Sequence, residues 1–256
     1  MTTTVSGISI EYEIKGEGPC VLFLHGWGSS YRLFEGLIAA VSKKYTALAL
    51  DLPGFGGSGE PPVPWSVDDY CRFVCEFLLS LGLSPEVLIG HSFGGRLMIK
   101  LLADNSLAGV KKAVFIDSAG IKPKPSLKSR ARLAVYKAGK AVLGLPPIKA
   151  LFPDALERLR RSRGSEDYKN ASPVMRGTLV KAVNEDLKGL LPKIGVPSLL
   201  IWGTLDTATP ISDGELFESL IPDAGLVRVE NGSHYSFLDN PALCIRAISS
   251  FLSIPY

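Results

Sequence analysis

Val87-Leu88-Ile89-Gly90-His91-Ser92-Phe93-Gly94-Gly95-Arg96-Leu97-Met98-Ile99 decides the fold. Three apolar residues run into a serine that has glycine two positions before and two after it, and a helix-compatible stretch over residues 96–102 follows at once. A strand that passes into a helix through so tight a turn holds the turning residue in a strained backbone conformation. Residues without side chains on either side let strand and helix approach each other. The pattern predicts an elbow that exposes the Ser92 hydroxyl above the edge of a sheet.

Outward from the elbow, apolar runs bounded by turn residues alternate with helical patterns, the sign of a mostly parallel sheet with crossover helices. Residues 8–14 alternate as an early antiparallel strand. Residues 20–24 read as a buried strand ending at His25-Gly26, and residues 45–50 as another ending at Asp51, with a helix over 31–42 between them. Ser66 caps a helix that runs to Leu81, with Asp68 and Asp69 suiting its first turn. After the elbow come strands over 113–116, 197–203 and 226–229, and helices over 213–220 and 241–252.

The alternation stops over residues 121–190, which open with Lys122-Pro123-Lys124-Pro125 and contain Pro146-Pro147. We read this span as a helical lid inserted over the carboxyl edge of the sheet, with residues 1–120 and 191–256 forming one core. The 256-residue length permits one large domain with such an insertion, and 46% hydrophobic with 21% charged residues is ordinary for a globular protein. The lid holds 16 Lys and Arg against 6 Asp and Glu, so it is basic over an acidic core. Such a segment either presents solvated helix faces or draws in anionic substrates or an acidic membrane surface. Net charge of +3 without a recognition module speaks against a nucleic-acid partner. No signal-like leader or bilayer-length apolar run is visible, which makes the cytoplasm the default location. Cys20, Cys71, Cys75 and Cys244 are too scattered for a disulfide framework and read as core or helix-surface thiols.

A serine hydroxyl is too weakly acidic to attack alone. It needs an imidazole base, and that base needs a carboxylate to fix its tautomer. Of three histidines, His25 sits at a strand end and His91, next to Ser92, should point away from it. His234 in Asn231-Gly232-Ser233-His234 is left as the base. Asp206 follows a strand between serine and histidine in chain order, with Pro210 to stiffen its loop. Asp117, at the end of the preceding strand, is the rival acid. Backbone N–H groups of Phe93 and Trp27 are the expected donors to a developing oxyanion, Gly26 and Gly28 letting the second loop bend inward.

Taken together, His25-Gly26-Trp27-Gly28, Asp51-Leu52-Pro53-Gly54-Phe55-Gly56-Gly57-Ser58, Gly90-His91-Ser92-Phe93-Gly94-Gly95, the Asp206 loop and His234 resemble the α/β-hydrolase superfamily, near its small bacterial carboxylesterase and carbon–carbon bond hydrolase branches. The resemblance spans residues 7–252 apart from the lid. It implies an α/β-hydrolase fold, a mostly parallel eight-stranded sheet with flanking helices. It also implies an acyl-enzyme route on a small-molecule acyl substrate, with no metal or organic cofactor and a structural role for the turn over residues 51–58. A serine esterase is the expected function. Carbon–carbon bond hydrolysis, thioester hydrolysis and acyl transfer use the same residues, and a slow-turnover ligand receptor is the alternative of another class. Trp27, Phe93 and Tyr136 are expected to line the pocket.

Overall fold

Eight strands, β1 (Thr2–Val5), β2 (Ile8–Lys15), β3 (Cys20–Leu24), β4 (Thr46–Leu50), β5 (Pro85–His91), β6 (Lys112–Ile116), β7 (Ser198–Gly203) and β8 (Ala224–Val229), join in one sheet ordered β1-β2-β4-β3-β5-β6-β7-β8. They belong to a computed structural model that describes residues 1–122, Leu143, Leu145 and residues 166–255. From β4 to β8 every pairing is parallel, and β1 and β2 form an antiparallel edge. Strand β1 is the eighth strand; four residues rich in threonine carry too little pattern to be read in advance.

Parallel strands β3 to β7 are buried on both faces, as continuous apolar runs require, while β8 at the edge is only partly covered. In β3, Val21 and Phe23 join the cluster under α1 (Glu35–Val41) and α7 (Pro241–Leu252). Leu22 and Leu24 join the cluster under α2 (Val67–Leu81), α3 (Phe93–Ala103) and α6 (Ile211–Leu220). Helix α2 starts in a reciprocal capping box between Ser66 and Asp69 and stops at Gly82 in the left-handed region. The helix expected over 31–42 is split into a 3-10 turn, Tyr31–Phe34, and α1, because the Asp51 carboxylate takes the Tyr31 N–H at 2.8 Å and anchors the entry turn.

The chain crosses from β3 to β4 on one side, then returns past β3 to β5 on the other. Loops leaving β3 and β5 therefore part, and a crevice opens at the carboxyl ends of these neighbours. Within the span read as a lid, the described residues form α4 (Glu166–Asn170), α5 (Pro173–Asn184) and a 3-10 turn (Lys188–Lys193). Its ends are tied together where the Leu187 N–H meets the Gly120 carbonyl at 2.9 Å and the Lys122 ammonium meets the Asn184 carbonyl at 3.0 Å. Residues 123–142 and 146–165, with Tyr136 and the arginine run 158–163, lie outside the described residues. The four cysteines are free thiols, and among the described residues no helix is long and apolar enough to cross a membrane.

Close approach of α3 to β3 depends on Gly94, where a Cβ would fall 1.9 Å from the Leu24 carbonyl oxygen. Backbone cannot move aside as a side chain can. Gly94→Ala is therefore expected to lower stability by about 3 kcal/mol or more in urea unfolding. Gly189→Ala, with nothing within 4 Å of the new atom, should stay within about 1 kcal/mol of the parent.

Candidate active site

Ser92 sits between β5 and α3 at φ 49° and ψ −108°, a conformation that a residue with a side chain rarely adopts. Three hydrogen bonds hold it there: its N–H to the Ile116 carbonyl at 3.1 Å, and its own carbonyl accepting from Gly95 and Ala119 at 3.0 Å each. Serine at a helix N-cap usually bonds the first turn with its hydroxyl, yet Ser92 makes no such bond. Its Oγ lies 2.9 Å from Nε2 of His234, and Nδ1 of the same ring lies 2.8 Å from Oδ2 of Asp206. With Nδ1–H donating to the carboxylate, Nε2 is left to accept the serine proton.

Asp206 is fully enclosed by donors. Ala208 and Thr209 N–H groups reach Oδ1 at 2.7 and 3.0 Å, and the Thr209 hydroxyl reaches Oδ2 at 2.6 Å. Burial opposes the charge of this carboxyl, but the hydrogen bonds from His234 and Thr209 outweigh it and hold the group below its ordinary range. It is thus an ionised partner for the histidine. Asp117, the rival acid, faces elsewhere: Oδ1 accepts from the Gly203 N–H at 2.8 Å, and Oδ2 accepts from the Ser236 N–H and hydroxyl at 3.1 and 2.5 Å. Burial drives its carboxyl up to about 6 against those donors. Its contacts clamp the ends of β6 and β7 to the loop that carries His234.

The other two histidines serve the loops. His25 accepts the Leu52 N–H on Nε2 at 2.9 Å and so carries its proton on Nδ1, 2.7 Å from the Gly26 carbonyl. His91 makes no hydrogen bond to the Ser92 hydroxyl; its ring packs 4.9 Å from that of His234, and its Nε2 donates to the His234 carbonyl at 2.7 Å, so it braces the loop that carries the base. The turn over residues 51–58 is held by Asp51, which accepts the Gly57 N–H, and by the Ser58 hydroxyl on the Asp51 carbonyl at 2.6 Å.

Ser92, His234, Trp27 and Phe93 share a cavity of about 350 Å³ with Arg96, Leu179, Ala182 and Asp213. Phe93 is the first residue of α3, so its N–H lies outside the helical ladder. The Trp27 N–H makes no hydrogen bond to a described residue. The two rings meet edge to face at 5.4 Å, which fixes the β3 loop against the elbow. A second cavity of about 320 Å³ adjoins on the far side of Trp27, lined by Phe55, Glu60 and Met175. The sequence reading missed Thr209 and Arg96. A Thr three residues after an acidic loop residue was the available signal for the first; Arg96, four residues after Ser92 on one helix, was the signal for the second.

A profile of the alpha/beta hydrolase fold matches residues 19–241. Pimeloyl-[acyl-carrier protein] methyl ester esterase of Aeromonas hydrophila is 25% identical, over 96% of this chain and 100% of the relative. The 2-(acetamidomethylene)succinate hydrolase of Mesorhizobium japonicum is 25% identical, over 97% of this chain and 93% of that one. Among solved structures, the enol-lactonase of Burkholderia xenovorans superposes with a TM-score of 0.76 at 21% identity, covering 99% of this chain and 100% of the other.

Burial, reinforced by the neighbouring His234, pushes the His91 ring down to about 3. The native ring stays neutral while the unfolded chain takes up a proton near its ordinary 6.5. Its contribution to stability is therefore present above pH 6.5 and is lost as pH falls toward 3. Nitrogen NMR should show His91 protonated on Nε2 with no titration between about pH 5 and about pH 8. A titrating His91 resonance in that range contradicts this assignment.

Proposed function

Since the chain belongs to the alpha/beta hydrolase fold family, we propose that it is a serine hydrolase cleaving a carboxylic ester of a small molecule through an acyl-enzyme intermediate. The observation that carries this reading is the line of two hydrogen bonds from Ser92 through His234 to Asp206. Ser92 Oγ attacks the ester carbonyl as its proton passes to Nε2 of His234. Asp206 holds the imidazole in the receiving tautomer and stabilises its cation. Negative charge on the former carbonyl oxygen is met by the N–H groups of Trp27 and Phe93, a stabilisation of roughly 3–4 kcal/mol per donor in comparable sites.

Collapse of the tetrahedral species expels the alcohol, which takes the proton from His234. Water then enters, gives a proton to Nε2 and attacks the acyl carbon. Ser92 leaves with that proton and the carboxylic acid is released. Residues 121–190 act as the lid of this site: α5 already supplies Leu179 and Ala182 to the cavity. The esterase and the hydrolase among the relatives support the reaction class, and the substrate is this chain's own.

A panel of chromogenic esters of increasing acyl length, with thioesters and vinylogous diketones beside them, tests the reading. Esters should be turned over best. Ser92→Ala should lower kcat/KM by about 10³-fold or more, and Asp206→Asn by about 10²–10⁴-fold. Equal rates for wild type and Ser92→Ala across the panel sink the proposal, and faster turnover of the diketones moves the assignment to carbon–carbon bond hydrolysis.

A further inference from the structure

Arg96 is 6% exposed, on the helix that begins at the nucleophile. Four residues after Ser92, its side chain leaves the same helix face and leans back toward the Ser92 end. It lines the same cavity as Ser92 and His234. Only one of its five N–H donors is engaged by a described residue: Nη1 donates to the Glu185 carbonyl at 2.8 Å. The carboxylate of Glu185, whose carbonyl Arg96 holds, is taken by Lys100 at 2.5 Å, which also holds Asp68 at 2.5 Å. Arg96 forms no ion pair with a described residue.

A largely buried guanidinium with no ion-pair partner among the described residues keeps its unbonded N–H groups for the cavity, and its planar fork matches a carboxylate in two parallel hydrogen bonds. Burial pulls its pKa down against the pull of Glu185 and Asp186, in keeping with a charge that the protein leaves incompletely balanced. We propose that Arg96 is a specificity-determining residue that binds a carboxylate at the far end of the substrate's acyl chain. The proposal rests on the ester-hydrolase reading above.

Geometry also sets the sense of binding. Glu185 follows α5, whose Leu179 and Ala182 line the cavity, so the cation and an apolar wall for the acyl methylenes lie together. Asp213, at the start of α6, lines the cavity too, and the neighbouring Asp206 carboxylate is hydrogen-bonded to His234. A substrate anion is drawn to Arg96 and away from the carboxylate beside the base, which orients the chain with its ester at Ser92. The substrate class is a half-ester of a short dicarboxylic acid.

The test compares ethanol release from the monoethyl and diethyl esters of glutaric and adipic acid. These differ by one charge at equal acyl length. Wild type should favour the monoethyl ester of one acid by tenfold or more in kcat/KM per ester group, and Arg96→Gln should bring that ratio to about one. Both rates come from one preparation, so loss of folded enzyme cancels. Arg96→Lys, which keeps the charge and loses the fork, should cut the ratio threefold or more and serves where Arg96→Gln does not fold. A wild-type ratio below two for both acids, or a ratio unchanged in the variants, overturns the proposal and leaves the esterase reading standing. If wild type hydrolyses none of these esters, the chromogenic panel above decides the esterase reading, and calorimetric titration with free glutarate decides Arg96 alone. Binding weakened fivefold or more in a variant supports the assignment; equal binding overturns it.

Discussion

The strained, positive-φ backbone of Ser92 holds the rest of the site in register. Such a conformation costs on the order of 1–3 kcal/mol and persists only where its surroundings over-determine it. Here the surroundings are the sheet itself: Ile116 at the end of β6 receives the Ser92 N–H, and Ala119 beyond it binds the Ser92 carbonyl. Gly94 lets α3 lie against the Leu24 carbonyl. With the turn so fixed, the hydroxyl cannot fold back to cap α3 and is directed to His234.

Three aspartates at or just beyond strand ends show how position in the sheet divides one chemistry into three tasks. Asp51, after β4, ties the entry of the 3-10 turn to the loop at Gly57. Asp117, after β6, joins β7 to the residue two beyond His234. Asp206, after β7, meets the imidazole and is kept ionised by the hydrogen bonds from His234 and Thr209. Two of these carboxylates hold loops in place, and the third meets the base. The aromatic contacts of Trp27 with Phe55 and Phe93 do the same for the β3 loop.

Most of the fold was legible because parallel strands buried on two faces have to be uniformly apolar. Residues 20–24 and 241–252 stand as elements with the bounds read from the pattern. Edge strand β1 escaped, since a threonine-rich edge needs neither alternation nor burial. Ser92, His234 and Asp206 were legible as types in order, and the structure brings them within hydrogen-bonding reach. Asp117 and Asp206 both end apolar strands, and only the three-dimensional course of the β7 loop separates them. His91 and Arg96 were illegible as site neighbours for a related reason: a side chain's direction at an elbow depends on φ and ψ at one residue, which no periodicity encodes. The basic composition of residues 121–190 was plain, while most of that span lies outside the described residues.

Acyl transfer to Ser92, the step proposed above, is tested by acid-quenched reaction with an activated ester, followed by mass mapping of the peptides. The expected result is an acyl mass increment on the peptide containing Ser92 that is absent from Ser92→Ala. Turnover without an adduct on that peptide, or an adduct elsewhere that survives Ser92→Ala, contradicts it.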